Sequence, residues 1–339
     1  MTGKEIINRI ITHNHPSRIG FDFLGNNPTD FLYAPTAHLI RPGAVRWESW
    51  GRDPDLLAMV PGFSGEVSMS AMGNIYGRLN GKTKGECIKG ALQEGWEKLE
   101  TFTLPIIDEE EDRRIEAAEY GKSDQFVLGN LPFAIFSSLR DGRHMDNALM
   151  DTLLEPDMVR LFLDKVMDLA VKILDRAQKN GLDGIMIADD LGMQHALFFN
   201  PETFRTLFKP YYKKLADELH QRGMKFFVHS CGLVHDIVGD FIEAGVDVFQ
   251  FDQPELSGSE VWAAEFGDKA AFYCPVDIQK IMSTGDRKLI EEGAFNMVAR
   301  FKEHGGSLIA KDYPTWEDLN VPPEWQQWAR DVILSNAEL

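Results

Sequence analysis

Amphipathic helices and short apolar strands alternate along the chain from residue 155 onward. In the first unit, residues 158–180 carry apolar side chains at helical spacing and are followed by Gly181. The apolar run 184–188 comes next and ends in Asp189-Asp190. Because helices join successive strands, this order predicts parallel pairing. Four more units repeat the order, and their strands end in His229-Ser230-Cys231, Asp252-Gln253-Pro254, Cys274-Pro275 and Lys311-Asp312-Tyr313.

The polar strand ends distinguish between two architectures of parallel strands. A doubly wound nucleotide-binding fold would carry a glycine-rich phosphate loop after one strand. Neither GxGxxG nor GxxxxGK[ST] follows any of these strands. A barrel instead builds its site from polar residues at the carboxyl ends of its strands. The sequence therefore predicts an α/β protein with a (β/α)8 TIM barrel.

The first part of the chain is less regular. Residues 18–23 and 125–128 are predicted strands, and residues 67–79 followed by Asn80-Gly81 carry a hairpin turn signal. No linker or low-complexity segment interrupts the sequence. We predict a single barrel domain over residues 1–339, in which residues 1–120 form a partly irregular N-terminal elaboration with a hairpin.

The composition limits which binding partners and which cellular compartment we expect for this protein. A formal net charge of -18 argues against nucleic acid or an anionic membrane surface as the main partner. No apolar run approaches the length of a membrane span, and the start of the sequence has no apolar signal core. The 3 cysteines are too few for a disulfide framework and fit a reducing environment. We expect a cytoplasmic protein that acts on a small molecule.

One strand end carries residues that bind soft metal ions. Side chains alternate along a strand, so His229 and Cys231 point to the same side. An imidazole and a thiol at that spacing suit zinc above all. Cys274 also falls at a strand end, where a metal site would require it. The alternative is a structural turn in which the thiol of Cys231 is simply buried.

Acidic residues occupy the ends of other strands. Asp190 is the candidate catalytic acid or base, and Asp189 next to it faces the opposite side. Asp252, Asp312 and its neighbour Tyr313 are candidates for substrate binding together with Asp189. For Asp189 and Asp190, the alternative is a capping role at the start of the next helix.

Several segments resemble the uroporphyrinogen decarboxylase-like superfamily, in the right order between about residues 125 and 325. Residues 184–192 look like its G-I-x-I-x-D-D-L-G segment, and Val321-Pro322-Pro323-Glu324 is similar to its V-P-P-E-N ending. The other similar segments are Phe208-Lys209-Pro210-Tyr211-Tyr212-Lys213, His229-Ser230-Cys231-Gly232 and Glu243-Ala244-Gly245-Val246-Asp247. The resemblance implies a (β/α)8 barrel.

The resemblance favours one of the two chemistries of that superfamily. The R-Q-A-G-R run with which true decarboxylases bind a polycarboxylate tetrapyrrole does not occur here. The corrinoid-dependent methyltransferase branch shows His-x-Cys on one strand, which His229 and Cys231 match, and a further cysteine downstream. After the last strand this chain has Asp312-Tyr313 instead. Cys274 is the substitute that the resemblance leaves for a third zinc ligand.

These observations define one principal hypothesis and three alternatives. The protein is expected to use Zn2+ to move a methyl group from a small methylated substrate to the corrinoid (cobalamin) of a separate protein. The foremost expected substrate is a methoxylated aromatic compound, which would undergo O-demethylation. The reverse use, from a methylated corrinoid to a thiol, is the first alternative. A decarboxylase without metal and a non-enzymatic partner of a corrinoid protein are the others. A homodimer is an open alternative to a monomer.

Overall fold

The computed structural model describes residues 1–41, 50–79, 85–116, 119–314, 319 and 321–339. Within these residues, the strands are β1 (Gly20–Asp22), β2 (Phe31–Tyr33), β3 (Leu39–Ile40), β4 (Glu66–Met69), β5 (Ile75–Arg78), β6 (Glu86–Lys89), β7 (Ile106–Ile107), β8 (Phe126–Asn130), β9 (Gly184–Ala188), β10 (Lys225–His229), β11 (Val248–Gln250), β12 (Ala271–Cys274) and β13 (Leu308–Lys311).

The helices of the same residues vary from one turn to seven. They are α1 (Gly3–Ile11), α2 (Pro54–Met59), α3 (Glu109–Glu116), α4 (Ile135–Arg143), α5 (Met145–Leu154), α6 (Pro156–Lys179), α7 (Pro201–Thr203), α8 (Lys209–Gln221), α9 (His235–Ala244), α10 (Ser259–Phe266), α11 (Arg287–Glu303) and α12 (Pro323–Ser335). A π-helical turn joins α7 to α8. None of these helices combines the length and the hydropathy that a membrane span requires.

Eight parallel strands form a nearly closed barrel, which confirms the predicted (β/α)8 fold. Their order is β1-β13-β12-β11-β10-β9-β8-β2. The register places His229 of β10 directly beside Gln250 of β11 and Ala188 of β9. The C-terminal ends of these three strands therefore meet at one part of the barrel mouth.

The two ends of the sheet meet between β1 and β2, which a short loop joins without a helix. Both terminal nitrogens of Arg18 bind the carboxylate of Asp30, at 2.7 and 2.8 Å. Asp30 also accepts from the backbone N–H of Phe21 and donates its own N–H to the Phe21 carbonyl, each at 2.8 Å. This buried carboxylate connects the two strands where the barrel lacks a regular ladder.

Alternate residues of the strands belong to two separate apolar layers. Inward residues such as Phe227 and Tyr273 pack inside the barrel, and isoleucines of α1 close the inner layer. Outward residues such as Phe226 and Phe272 pack against the surrounding helices. Both faces of each strand are thus apolar until its C-terminal end, as expected for a parallel barrel.

A small antiparallel sheet of β4, β5 and β6 accounts for much of the N-terminal part. With α2 it forms its own apolar cluster, which includes Leu56, Val67 and Ile75. The predicted turn at Asn80-Gly81 lies outside the described residues, between β5 and β6.

Candidate metal centre

Three side chains converge at the ends of β9 and β10. The Nε2 atom of His229 lies 3.5 Å from the Sγ atom of Cys231 and 3.4 Å from Oδ1 of Asp190. The backbone N–H of Cys231 donates to the same Oδ1 atom at 2.8 Å, which fixes the Asp190 carboxylate in place. Among the described residues, these are the group whose nitrogen, sulfur and oxygen atoms could hold one metal ion, all within 4.8 Å of one another.

The two spacings from His229 Nε2 fit zinc. Ligands at ordinary Zn–N, Zn–O and Zn–S distances in a tetrahedron lie about 3.4–3.6 Å apart, and the two measured separations from His229 Nε2 are 3.4 and 3.5 Å. Three protein ligands are also the number typical of a catalytic zinc site, which keeps a fourth position open. The donor set therefore fits the ion that the sequence predicted, with Asp190 as the third member.

The orientation of His229 fits metal binding through Nε2. Its Nδ1 atom is hydrogen-bonded to Oε1 of Gln250, and Nε2 of Gln250 donates to Oδ1 of Asp252 at 2.8 Å. Because the amide nitrogen of Gln250 bonds Asp252, the amide oxygen of Gln250 faces the imidazole. The imidazole must then carry a proton on Nδ1, which leaves Nε2 for a metal ion.

Electrostatics at the centre favour a positive charge. Burial opposes protonation of the imidazole, but hydrogen bonds with Asp190 and Cys231 outweigh burial and raise the pKa of His229 to about 10. Burial alone would raise the pKa of Asp190, but the hydrogen bond and charge of His229 outweigh it and lower that pKa. A lowered pKa keeps the Asp190 carboxylate ionised, which suits a metal ligand, and its catalytic role stays a prediction.

Gln250 is expected to contribute to metal affinity although it touches no ligand position itself. Gln250→Leu removes the acceptor of the Nδ1 proton, and loss of such an outer partner typically weakens metal binding by about 10–100-fold. Competition with a chromophoric zinc chelator measures this change. Gln178→Leu is the matched control, because Gln178 lies at the end of α6 and bonds the Arg222 carbonyl. Equal affinity in both variants would contradict the orienting role of Gln250.

Two predicted site residues lie on the outward side of their strands. Asp189 is fully buried and caps α4 by accepting from the backbone N–H groups of residues 135–137 at 2.7–3.0 Å. Cys274 is also fully buried, in the layer between strands and helices with Phe272, and burial raises the pKa of its thiol to about 12. Asp189 thus caps α4 from a buried position, and Cys274 lies outside the ligand group.

Asp312 and Tyr313 both bond residues of α12. The buried Asp312 carboxylate accepts from Arg330 Nη2 at 2.6 Å and from the backbone N–H of Leu24 at 2.9 Å. The backbone of Tyr313 exchanges two hydrogen bonds with the side chain of Gln326. These contacts hold both residues in place, and their role in substrate binding stays a prediction.

Asp252 remains at the mouth, and sequence reasoning missed the cation beside it. Lys311 Nζ lies 3.5 Å from Oδ1 of Asp252 and 5.2 Å from the centre of the Tyr273 ring. On the same wall, Asp22 accepts hydrogen bonds from Tyr273 and Tyr33.

The sequence did contain a signal for Gln250. It is an amide side chain within the apolar run that ends β11. The alternation of β13 likewise places Lys311, and not Asp312, inward.

Fold and site together define a class of protein: a parallel (β/α)8 barrel with a potential metal-binding group at its mouth. Residues 108–311 match the family described as uroporphyrinogen decarboxylase (URO-D), which is more than half of the chain. The chain therefore belongs to the uroporphyrinogen decarboxylase family. A search of curated proteins found no match.

Solved structures share the fold at low sequence identity. A methyltransferase from Methanosarcina mazei matches with a TM-score of 0.67 and 13% identity, over 99% of this chain and 99% of that chain. A D-psicose 3-epimerase from Clostridium cellulolyticum H10, solved with D-tagatose, has a TM-score of 0.41 and 9% identity, over 71% of this chain and 86% of the epimerase. At these identities the likeness concerns the fold alone, and for the epimerase it is too weak to support an argument.

Proposed function

We propose that this protein is a zinc-dependent methyltransferase. It moves a methyl group between a small methylated substrate, foremost a methoxylated aromatic compound, and the corrinoid of a separate protein. The observation that carries the proposal is the group of Asp190, His229 and Cys231, whose donor atoms lie within 4.8 Å of one another at the barrel mouth. A methyltransferase from Methanosarcina mazei has the same fold over the whole chain, so the fold is compatible with this reaction.

The residues of the centre have distinct roles in this proposal. Asp190, His229 and Cys231 would hold the zinc ion, which when bound would supply a Lewis acid to polarise the oxygen that carries the methyl group. Gln250 keeps the Nδ1 proton of His229 in place, and Asp252 orients Gln250. This arrangement presents the ligand atoms in one fixed geometry before a substrate arrives, which lowers the cost of reaching the reactive arrangement.

The corrinoid is assigned to a separate protein because this sequence contains no D-x-H-x-x-G motif typical of a cobalamin-binding module. The proposed partner would dock over the barrel mouth, where the polar strand ends lie. A cavity of about 400 Å³ adjoins Asp190 from the side of the small antiparallel sheet. Its volume is in the range typical of small-molecule sites.

Metal analysis followed by a reconstituted reaction tests the proposal. Purified protein should carry about one zinc ion per chain, as a single catalytic site requires. Mixed with a reduced corrinoid protein, it should demethylate at least one member of a panel of methoxylated aromatics. Methylamines and thiols in the panel would reveal another methyl donor or the reverse direction of transfer.

Three results would contradict the proposal. Absence of stoichiometric zinc would exclude the zinc mechanism. Release of carbon dioxide from a carboxylated compound without metal would favour a decarboxylase. Binding of the corrinoid protein without turnover of any donor would favour a non-enzymatic partner.

A further inference from the structure

The cavity beside Asp190 contains a cation that the centre itself does not use. Its lining includes Arg140 from α4 and Tyr76 from the small antiparallel sheet. Arg140 Nε donates to Oδ1 of Asp141 at 2.9 Å, and the Tyr76 hydroxyl donates to Oδ2 of Asp141 at 2.6 Å. Both oxygens of Asp141 are thus engaged, and the carboxylate holds Arg140 in one orientation.

The outer edge of Arg140 remains available. Its two terminal nitrogens have no hydrogen-bond partner among the residues that the structure describes, and its side chain is only 27% exposed. Burial alone would lower the pKa of Arg140, but the nearby carboxylates, Asp141 first, outweigh burial and raise it. A partly desolvated guanidinium with a free planar edge is the usual partner of a carboxylate, which it binds through two parallel hydrogen bonds.

The charges around the cavity permit an anion there. The negative charge of Asp141 is paired with Arg140. Asp189 faces the N-terminal N–H groups of α4, which offset its charge. In the zinc-loaded centre, the charges of one carboxylate and one thiolate cancel that of the ion. An incoming carboxylate would therefore meet Arg140 without an unbalanced negative charge beside it.

Apolar side chains elsewhere in the cavity lining would contact the uncharged part of the ligand. Met72, Leu131, Pro132 and Phe133 supply an apolar surface. Asp190, a member of the metal-ligand group, also lines the cavity. A ligand that fills the cavity would place its acidic end at Arg140 and its apolar body against Phe133.

We propose that Arg140 makes this cavity a subsite for small organic acids, so that the methylated substrate is bound through its carboxylate. The transfer of the methyl group in this inference rests on the proposed function. The binding of the acid at Arg140 does not. Arg140 is a specificity-determining residue here, because it would bind the substrate at the end remote from the methyl group.

Calorimetric binding to the zinc-loaded protein tests the subsite without any methyl transfer. The probes are 4-methoxybenzoate and the neutral 4-methoxybenzyl alcohol, which differ at the acidic end. The wild-type protein should prefer the acid, and Arg140→Gln should weaken acid binding by about 10–100-fold, the usual range for a hydrogen-bonded charge. Binding of the alcohol should not change. Arg205→Gln is the matched control, because Arg205 is an exposed arginine on the π-helical turn.

The outcomes separate this inference from the proposed function. Equal binding of the two probes, or a preference that survives Arg140→Gln, would overturn the subsite. If Arg140→Gln fails to fold, Arg140→Lys retains the charge without the planar edge, and acid binding should still weaken. Preference for the acid without methyl transfer would retain the subsite and reject the methyltransferase. Methyl transfer from neutral donors alone would support the methyltransferase and reject the subsite.

Discussion

Cys231→Ala is expected to remove most of the bound zinc. Loss of an outer partner of a metal ligand already costs about 10–100-fold in affinity, so loss of the ligand atom itself should cost more than about 100-fold by the same reasoning. The Sγ atom of Cys231 is the sulfur in the ligand group, 3.5 Å from Nε2 of His229. Methyl transfer should fall with the metal content. Plasma mass spectrometry of dialysed protein and chelator competition measure the change.

Cys274→Ala is the matched control for this prediction. Its thiol packs in the layer between strands and helices, and it lies outside the ligand group. Zinc content should therefore remain at the wild-type level, while a small loss of stability follows from the cavity left behind. Loss of zinc from Cys274→Ala, with retention in Cys231→Ala, would show that the ligand assignment is wrong and that the sequence-based choice of Cys274 was right.

The fold could be predicted well where its signals are local. Helical spacing, glycine stops and short apolar runs are properties of neighbouring residues, and all five predicted strand positions after residue 155 correspond to β9 through β13. β2 was not predicted. It has only three residues, Phe31–Tyr33, and no helix separates it from β1. Its place in the barrel depends on pairing with β8, which is distant in sequence.

The candidate site could be predicted only in part. The sequence shows where a strand ends, but it does not show which face of the strand points into the barrel. Adjacent Asp189 and Asp190 must face opposite sides, and the sequence showed as much. Which of them faces inward depends on the barrel, because both faces of these strands are apolar. The same limit applies to Cys274, which lies one residue past the inward Tyr273 and so faces the helices.

The residues around the centre depend on contacts between elements. Gln250 reaches His229 because the β10–β11 register places the two side by side. Arg140 belongs to α4, and it reaches the cavity because Asp189 caps that helix next to Asp190. No short pattern in the sequence records either contact.

Asp189→Ala is expected to destabilise the protein strongly. The carboxylate accepts from three backbone N–H groups of α4, from the Ser137 hydroxyl at 2.8 Å and from the Tyr212 hydroxyl, and it is fully buried. Alanine would leave these buried donors without an acceptor. The free energy of unfolding should fall by about 3–5 kcal/mol, as for the breaking of other buried ionic contacts. Urea denaturation of metal-free protein measures this without the stabilisation that bound zinc would add.

Asp190→Ala is the matched control, since it changes the adjacent residue in the same way. The Asp190 side chain is 41% exposed, and its contacts are with the metal-ligand group. Without metal, its loss should cost only about 1 kcal/mol, as for other partly exposed ionic contacts, whereas zinc affinity should fall sharply. Asp189→Ala should show the opposite pattern, with most of its effect on stability. If Asp190→Ala were the more destabilising of the two in metal-free protein, the assignment of Asp189 to the α4 cap and of Asp190 to the metal would have to be exchanged.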